Sequence, residues 1–184
     1  IKKNNLNCIL LFTGANSLIP ADIYHNFISS LLDYNYSICV LPNDYQSCYL
    51  HIREIENKYN SIIPLSHSTG CINVINLANN FENIKSAVFL DPVDNSKLIK
   101  LINNIETNKL FYLNNLLIIN ANKSYKWSFN PITIPFVPAF RLNNNKILSL
   151  KNNINIKYID SNNHGHCDIL DPLWGDLMHS TIAK

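Results

Sequence analysis

A serine flanked by small residues stands where one apolar run ends and a helical pattern begins. Residues 61–65 predict a buried strand, and residues 71–77 place apolar side chains at helical spacing. Between them lies Ser66-His67-Ser68-Thr69-Gly70. Small residues beside Ser68 let the strand and helix backbones approach, which holds the serine hydroxyl out at the carboxyl end of a sheet. The motif therefore predicts a nucleophilic serine, a group suited to covalent acyl transfer.

A nucleophilic serine requires a base, and two of the six histidines follow the last predicted strand. His164 and His166 lie in the polar run 162–168, where Gly165 allows a tight turn. In a parallel sheet, this loop lies at the same edge as the serine turn. Its position and chain order favour this loop as the source of the base, and both of its histidines remain candidates for that role. Surface or capping roles are expected for His25 and His51, which lie in the early predicted helices. His67 precedes the serine and is expected to pack beside the turn, and His179 lies in the last predicted helix.

A long stretch without acidic residues limits which residue can supply the carboxylate that would orient this base. Residues 107–159 contain neither Asp nor Glu, so Asn120 and Asn122 stand where an acid after the strand predicted at 116–120 would be. An amide does not stabilise an imidazolium as a carboxylate does. The acid must therefore come from another part of the chain.

Asp91 is the preferred acid. It ends the strand predicted at 86–90, and Pro92 keeps the following turn extended, which holds the carboxylate at the carboxyl edge of the sheet. Asp94 is the competing residue, and we expect it to cap the helix that follows.

An oxyanion hole requires two backbone N–H donors near the serine. Thr69 follows the nucleophile and offers one N–H at a helix N-terminus. The second is expected from Ala15, in the loop after the first strand, where Gly14 allows close approach of the backbone. The hydroxyl groups of Thr13 and Ser17 are further possible donors.

The elements that must position these residues alternate along the chain. Strands are predicted at residues 8–12, 36–41, 62–65, 86–90, 116–120 and 154–159, and helices at 21–32, 45–59, 68–80, 97–105 and 172–182. Such alternation is typical of an α/β domain with a mainly parallel sheet and helices on both faces. Its 184 residues suit a single domain, residues 1–184.

Composition excludes several classes of function. The net charge is +2 and the lysines are scattered, so no nucleic-acid partner is expected. No stretch is long and apolar enough for a transmembrane segment. Five cysteines without a CxxC pair predict free thiols and an intracellular, cytoplasmic protein. No metal and no cofactor are expected. A plastid or host-cell compartment would require a targeting segment removed from this chain.

An aromatic segment interrupts the alternation at residues 125–142. Three prolines rule out a regular helix there, and the segment predicts an ordered loop. Its aromatic side chains form either the apolar wall of a substrate pocket or ordinary core packing: Trp127, Phe129, Phe136 and Phe140.

These features together resemble the α/β-hydrolase superfamily and, within it, the chlorophyllases. The resemblance is carried by the serine motif, by Asp91-Pro92-Val93-Asp94 and by Gly165-His166-Cys167-Asp168-Ile169-Leu170-Asp171. It implies an α/β-hydrolase fold that lacks the family's leading strands. It also implies a triad of Ser68, Asp91 and His166, and so favours His166 over His164. The family's first glycine of the serine motif is replaced by Ser66.

The resemblance implies an ester hydrolase that acts on an apolar ester, with the phytyl ester of chlorophyll as the expected substrate. The first alternative is a general lipase or esterase that acts on other apolar esters. The second is a binding protein that keeps the fold without catalysis. Retention of a serine, an acid and a histidine in the family's order argues against the binding protein.

Overall fold

The computed structural model describes residues 4–14, 19–41, 45–93, 113–122 and 154–172. The strands are β1 (Asn4–Phe12), β2 (Ser37–Val40), β3 (Tyr59–His67), β4 (Ser86–Leu90), β5 (Asn115–Ala121) and β6 (Asn155–Ser161). The helices are α1 (His25–Asp33), α2 (Tyr45–Lys58) and α3 (Cys71–Asn80). Short 3₁₀ turns at Ala21–Tyr24 and Ser68–Gly70 precede α1 and α3.

The six strands form one sheet in the order β2-β1-β3-β4-β5-β6, and every pair is parallel. The chain crosses from β1 outward to β2, whereas it crosses from β3 in the opposite direction to β4. The order of the sheet therefore reverses between β1 and β3. In open α/β sheets this reversal opens a crevice beyond the carboxyl ends of the strands, where ligands bind.

Both faces of the sheet are covered, because successive residues of a strand point to opposite sides. From β1, Cys8, Leu10 and Phe12 join a large cluster with side chains of α2 and α3. The intervening Ile9 and Leu11 join a smaller cluster with Leu65 and side chains of α1. This arrangement confirms the predicted α/β class, with a parallel sheet and helices on both faces.

Several predicted boundaries were wrong. Strand β3 extends beyond the apolar run at both ends, because its backbone pairs with β1 from Tyr59 onward and with β4 as far as His67. The helix predicted from Ser68 begins instead as a 3₁₀ turn, and α3 starts at Cys71. The predicted helix 97–105, nearly all of the predicted helix 172–182 and the aromatic segment lie outside the described residues.

Four cysteines have described side chains, and all four are free thiols: Cys8, Cys39, Cys71 and Cys167. Burial, with a smaller contribution from the neighbouring Cys39, raises the pKa of the Cys8 thiol to about 12. The free-thiol prediction is therefore confirmed for these positions. Within the described ranges, no helix has both the length and the apolar character that crossing a bilayer demands.

Candidate active site

Ser68 occupies a strained turn between β3 and α3. Its φ angle is 56°, a left-handed backbone conformation that residues other than glycine adopt rarely and at a cost of about 1–3 kcal/mol. The turn is fixed in part by a hydrogen bond of 3.1 Å from the Val93 N–H to the Ser68 carbonyl oxygen. Strain that the surrounding structure maintains is common at functional sites. The serine predicted from the sequence therefore lies on a sharp strand-to-helix corner.

The residues that flank Ser68 differ in how tightly they fit. A Cβ atom on Gly70 would lie 2.7 Å from the carbonyl oxygen of Phe12 and 2.8 Å from that of Thr13, so only glycine fits against the end of β1. Ser66 is fully buried, and its hydroxyl has no hydrogen-bond partner among the described residues. The serine at this position therefore fits sterically but leaves a buried polar group unsatisfied.

Asp91 and His166 form a buried pair at the same edge of the sheet. The Asp91 Oδ2 lies 2.7 Å from the His166 Nδ1, and each side chain is only 4% exposed. The other carboxylate oxygen accepts a hydrogen bond of 3.0 Å from the Ala121 N–H, and the Asp91 N–H donates to the Ile119 carbonyl oxygen at 2.7 Å. Contacts from β5 and from the His166 loop thus fix the carboxylate.

The tautomer of His166 follows from this contact. A carboxylate only accepts hydrogen bonds, so the Nδ1 of His166 must carry the proton that it shares with Asp91. In the neutral ring, Nε2 is then the unprotonated nitrogen and can accept a proton from a hydroxyl group. This arrangement suits a general base whose charged form is stabilised by a carboxylate.

The structure distinguishes the two loop histidines that the residue pattern left open. His164 is exposed, and its Nδ1 lies 2.5 Å from the Ser161 hydroxyl. His166 is buried and contacts Asp91. The competing acid, Asp94, lies outside the described residues.

The loop that carries His166 is attached to the segment before α1. The Asp171 N–H donates to the Ile23 carbonyl oxygen, and the Asn26 N–H donates to the Asp171 carboxylate, both at 2.8 Å. Tyr24 packs in a small apolar cluster with side chains of the loop, Cys167 and Leu170. Residues from opposite ends of the chain therefore hold this loop in place.

His67 was predicted to pack beside the turn, and its hydrogen bonds were missed. It is 2% exposed, and both ring nitrogens are engaged. Nδ1 lies 2.7 Å from the Tyr24 hydroxyl, and Nε2 lies 2.8 Å from the His166 carbonyl oxygen. The Gly14 N–H in turn donates to the Tyr24 hydroxyl at 2.9 Å. Only its position next to Ser68 marks His67 in the sequence.

The two predicted oxyanion donors differ in what can be said of them. Thr69 is buried in the 3₁₀ turn that leads into α3. Ala15 lies outside the described residues, although both ends of its loop are described. The Thr13 hydroxyl donates to the Ile19 carbonyl oxygen at 2.7 Å, and the Ile19 N–H donates to the Gly14 carbonyl oxygen at 3.3 Å. The Thr13 hydroxyl is thus engaged in closing the loop.

A mainly apolar cavity of about 420 Å³ adjoins the Asp91–His166 pair, with Phe27, Leu90 and Ile169 in its wall. Ser68 is not among the residues that line it, so the cavity lies beside the acid–base pair rather than in front of the hydroxyl. A second cavity of similar volume lies at the amino ends of β3 and β4, at the opposite edge of the sheet. The four aromatic residues predicted for the pocket lie outside the described residues.

Similarity to known proteins was found among solved structures. A structure from work on LipS and LipT, two metagenome-derived lipolytic enzymes, matches with a TM-score of 0.60 and 10% identity, over 98% of this chain and 94% of that chain. A YdeN-like hydrolase of Pectobacterium atrosepticum matches with a TM-score of 0.54 and 12% identity, over 96% and 93%. The fold is that of the α/β-hydrolases. No protein-family model and no curated protein matches the chain.

A third structure, the esterase domain of a Rhodothermus marinus protein, matches with a TM-score of 0.55 and 10% identity, over 95% of this chain and 84% of that chain. At such low identity, the likeness establishes the α/β-hydrolase fold alone. Function must be argued from the site that this fold carries.

Proposed function

We propose that this chain is a carboxylic-ester hydrolase of general lipase or esterase type, with Ser68, His166 and Asp91 as its triad. The observation that supports it most is the buried Asp91–His166 hydrogen bond, at the sheet edge where Ser68 occupies its strained turn. A carboxylate held in this way keeps the base in one tautomer and stabilises its charged form.

In the proposed reaction, His166 Nε2 accepts the Ser68 hydroxyl proton while the serine oxygen attacks the ester carbonyl. The N–H groups of Thr69 and Ala15 stabilise the oxyanion. The imidazolium returns its proton to the alcohol that leaves, and an acyl-enzyme remains. Water then attacks the acyl-enzyme with His166 again as the base, which releases the acid and restores the serine.

The general esterase has more support than the chlorophyllase reading. The similar structures include lipolytic enzymes and an esterase domain, whereas chlorophyllase similarity depends on the short motifs at Asp91 and His166 alone. The aromatic segment supports an apolar ester as the substrate, with Trp127, Phe129, Phe136 and Phe140 as its proposed wall. The phytyl ester of chlorophyll is kept as one member of that substrate class.

The test combines a substrate panel with labelling of the serine. Hydrolysis of p-nitrophenyl esters from acetate to laurate is compared with release of phytol from chlorophyll in detergent micelles. The expected result is p-nitrophenyl ester turnover that Ser68→Ala abolishes, with a fluorophosphonate probe attached to Ser68. The matched control is Ser30→Ala, which removes a serine hydroxyl that donates to the Asn26 carbonyl oxygen on α1.

Each adverse result points to a different reading. Turnover by Ser68→Ala equal to that of the wild type would contradict the mechanism. A folded protein that neither hydrolyses any ester nor reacts with the probe would identify a binding protein. Cleavage confined to chlorophyll would favour the chlorophyllase.

A further inference from the structure

We propose that His67 is a positioning residue that ties together three loops of the active site through a directed chain of hydrogen bonds. The chain runs from the Gly14 N–H through the Tyr24 hydroxyl and the His67 ring to the His166 carbonyl oxygen. This inference rests on the proposed function, because it assigns His67 a role in holding the base and the oxyanion loop of that site.

The direction of the chain follows from the chemistry of its two ends. A carbonyl oxygen only accepts, so His67 Nε2 must carry a proton and donate it to His166. A neutral ring then has an unprotonated Nδ1, to which the Tyr24 hydroxyl donates. The oxygen of that hydroxyl accepts from the Gly14 N–H. The other neutral tautomer of His67 would break the bond to the His166 carbonyl oxygen and would leave the Tyr24 hydroxyl proton without the acceptor that Nδ1 provides.

Every group in this chain of hydrogen bonds is buried, so the loss of any one of the bonds is costly. Tyr24 is fully buried, and the side chains of His67 and His166 are almost so. Burial and the neighbouring His166 lower the pKa of His67 from 6.5 to about 3, so the ring stays neutral. A proton on Nδ1 would remove the acceptor that Tyr24 uses and would place a cation against the base. An unpaired buried donor or acceptor costs about 1–3 kcal/mol.

This chain of hydrogen bonds joins the segments that the proposed reaction requires at fixed separations. Gly14 directly precedes Ala15, the proposed oxyanion donor, and His67 directly precedes Ser68. The accepting carbonyl belongs to His166, whose ring contacts Asp91. The His67 and His166 rings also lie 4.7 Å apart, with an angle of 36° between their planes. Movement of His67 therefore displaces the backbone of the base itself.

The same contacts restrict what can stand at position 14. A Cβ atom on Gly14 would lie 3.1 Å from the His67 Nδ1 and 3.3 Å from the Tyr24 hydroxyl oxygen. Glycine thus leaves room for the bond between Tyr24 and His67. A side chain at position 14 would crowd this hydrogen bond and also the Ile19 side chain, whose Cδ1 would lie 3.0 Å from the added Cβ.

Kinetics of His67→Phe, His67→Gln and Tyr24→Phe test this role. The ring of Phe fills the site without hydrogen bonds, whereas the amide nitrogen of Gln can replace Nε2 as the donor to His166. Each kcat is divided by the concentration of sites that a fluorophosphonate titrates, so that unfolded protein does not count. We expect His67→Phe to lower kcat about 100-fold with KM unchanged, since a displacement of 1 Å at a reacting group has this effect.

The conservative variant and the separate effects on kcat and KM distinguish positioning from mere stability. His67→Gln should recover most of the lost kcat, because its amide restores the donor to the His166 carbonyl oxygen. The matched control is His51→Gln, at an exposed histidine of α2, which should leave the titrated kcat unchanged. Equal titrated kcat in all variants would overturn the proposal.

Nitrogen NMR of the wild-type histidines tests the chain without reference to catalysis. We expect His67 to be neutral with its proton on Nε2 from about pH 5 to 8, given its lowered pKa. Tyr24→Phe should shift the Nδ1 signal of that ring. A His67 that is protonated in this range, or that carries its proton on Nδ1, would overturn the inference even in a fully active enzyme. Absence of esterase activity with the expected NMR result would instead refute the proposed function and leave the chain of hydrogen bonds standing.

Discussion

Asp91 and His166 meet at 2.7 Å although 75 residues separate them in the chain. Asp91 follows β4 and His166 follows β6, with β5 between the two strands. The carboxylate reaches across the end of β5, where it also accepts from the Ala121 N–H. Parallel strands place all these ends at one edge of the sheet, which is why distant residues can form one site.

Asp91→Asn should remove most of the proposed esterase activity without unfolding the protein. Asparagine tolerates the positive φ of 40° at this position and keeps an acceptor for the Ala121 N–H. Its amide cannot support a charged imidazole and favours the wrong tautomer of His166. We expect kcat to fall about 10³- to 10⁴-fold. Circular dichroism and the thermal midpoint, measured beside the rates, should stay close to those of the wild type.

His166→Gln and His164→Gln form a matched pair in one loop. Loss of His166 removes the proposed base, so kcat should fall by about 10⁴-fold or more, to the residual rate that the oxyanion hole and binding alone support. His164 is exposed and bonds to Ser161, so its loss should leave kcat/KM nearly unchanged. Initial rates of ester hydrolysis by both variants decide between the two residues. An inactive His164→Gln with an active His166→Gln would reverse the assignment.

Gly70→Ala and Ser66→Ala should have opposite effects on stability. The added methyl group at Gly70 would press on two backbone oxygens at the end of β1, so we expect the free energy of unfolding to fall by about 1–3 kcal/mol. Ser66→Ala removes a buried hydroxyl without a partner in the described residues, so stability should be unchanged or higher by about 1 kcal/mol. Urea unfolding measures both, and a strongly destabilised Ser66→Ala would show that its hydroxyl is satisfied in solution.

His67 should make the fold sensitive to acid. Burial lowers the pKa of His67 to about 3, whereas the ring has an ordinary pKa of 6.5 in the unfolded chain. Below pH 6.5 the unfolded chain therefore binds a proton that the folded chain does not. This group's contribution to stability falls by about 1.4 kcal/mol per pH unit between those limits and is constant above pH 6.5.

Urea unfolding at about pH 7 and pH 5 measures this loss for the wild type, His67→Gln and His51→Gln. In the part of the chain that the structure describes, the titratable groups facing His67 are Tyr24 on the turn before α1, His166 on its loop and Asp91 after β4. His67→Gln should lose less stability than the other two proteins on acidification. Equal losses in all three would indicate that His67 is protonated in the folded protein.

Residue patterns alone were sufficient to predict the class of fold and a short list of candidate catalytic groups. Apolar runs alternating with helical patterns predict a parallel sheet because burial on both faces demands that pattern. The absence of acidic residues from 107 to 159 favours Asp91 as the acid, and the Asp91 carboxylate does contact His166. The catalytic roles of these residues stay predictions.

Features that depend on contacts between distant segments became visible only in the folded protein. Local patterns mark apolar runs but not where backbone pairing stops, so the extent of β3 was set by its partners β1 and β4. His164 and His166 have similar polar neighbours in the chain, and only the folded loop buries one against Asp91 and exposes the other. The hydrogen bonds of His67 join residues 14, 24 and 166, and such long-range pairing leaves no periodic signal in a single sequence.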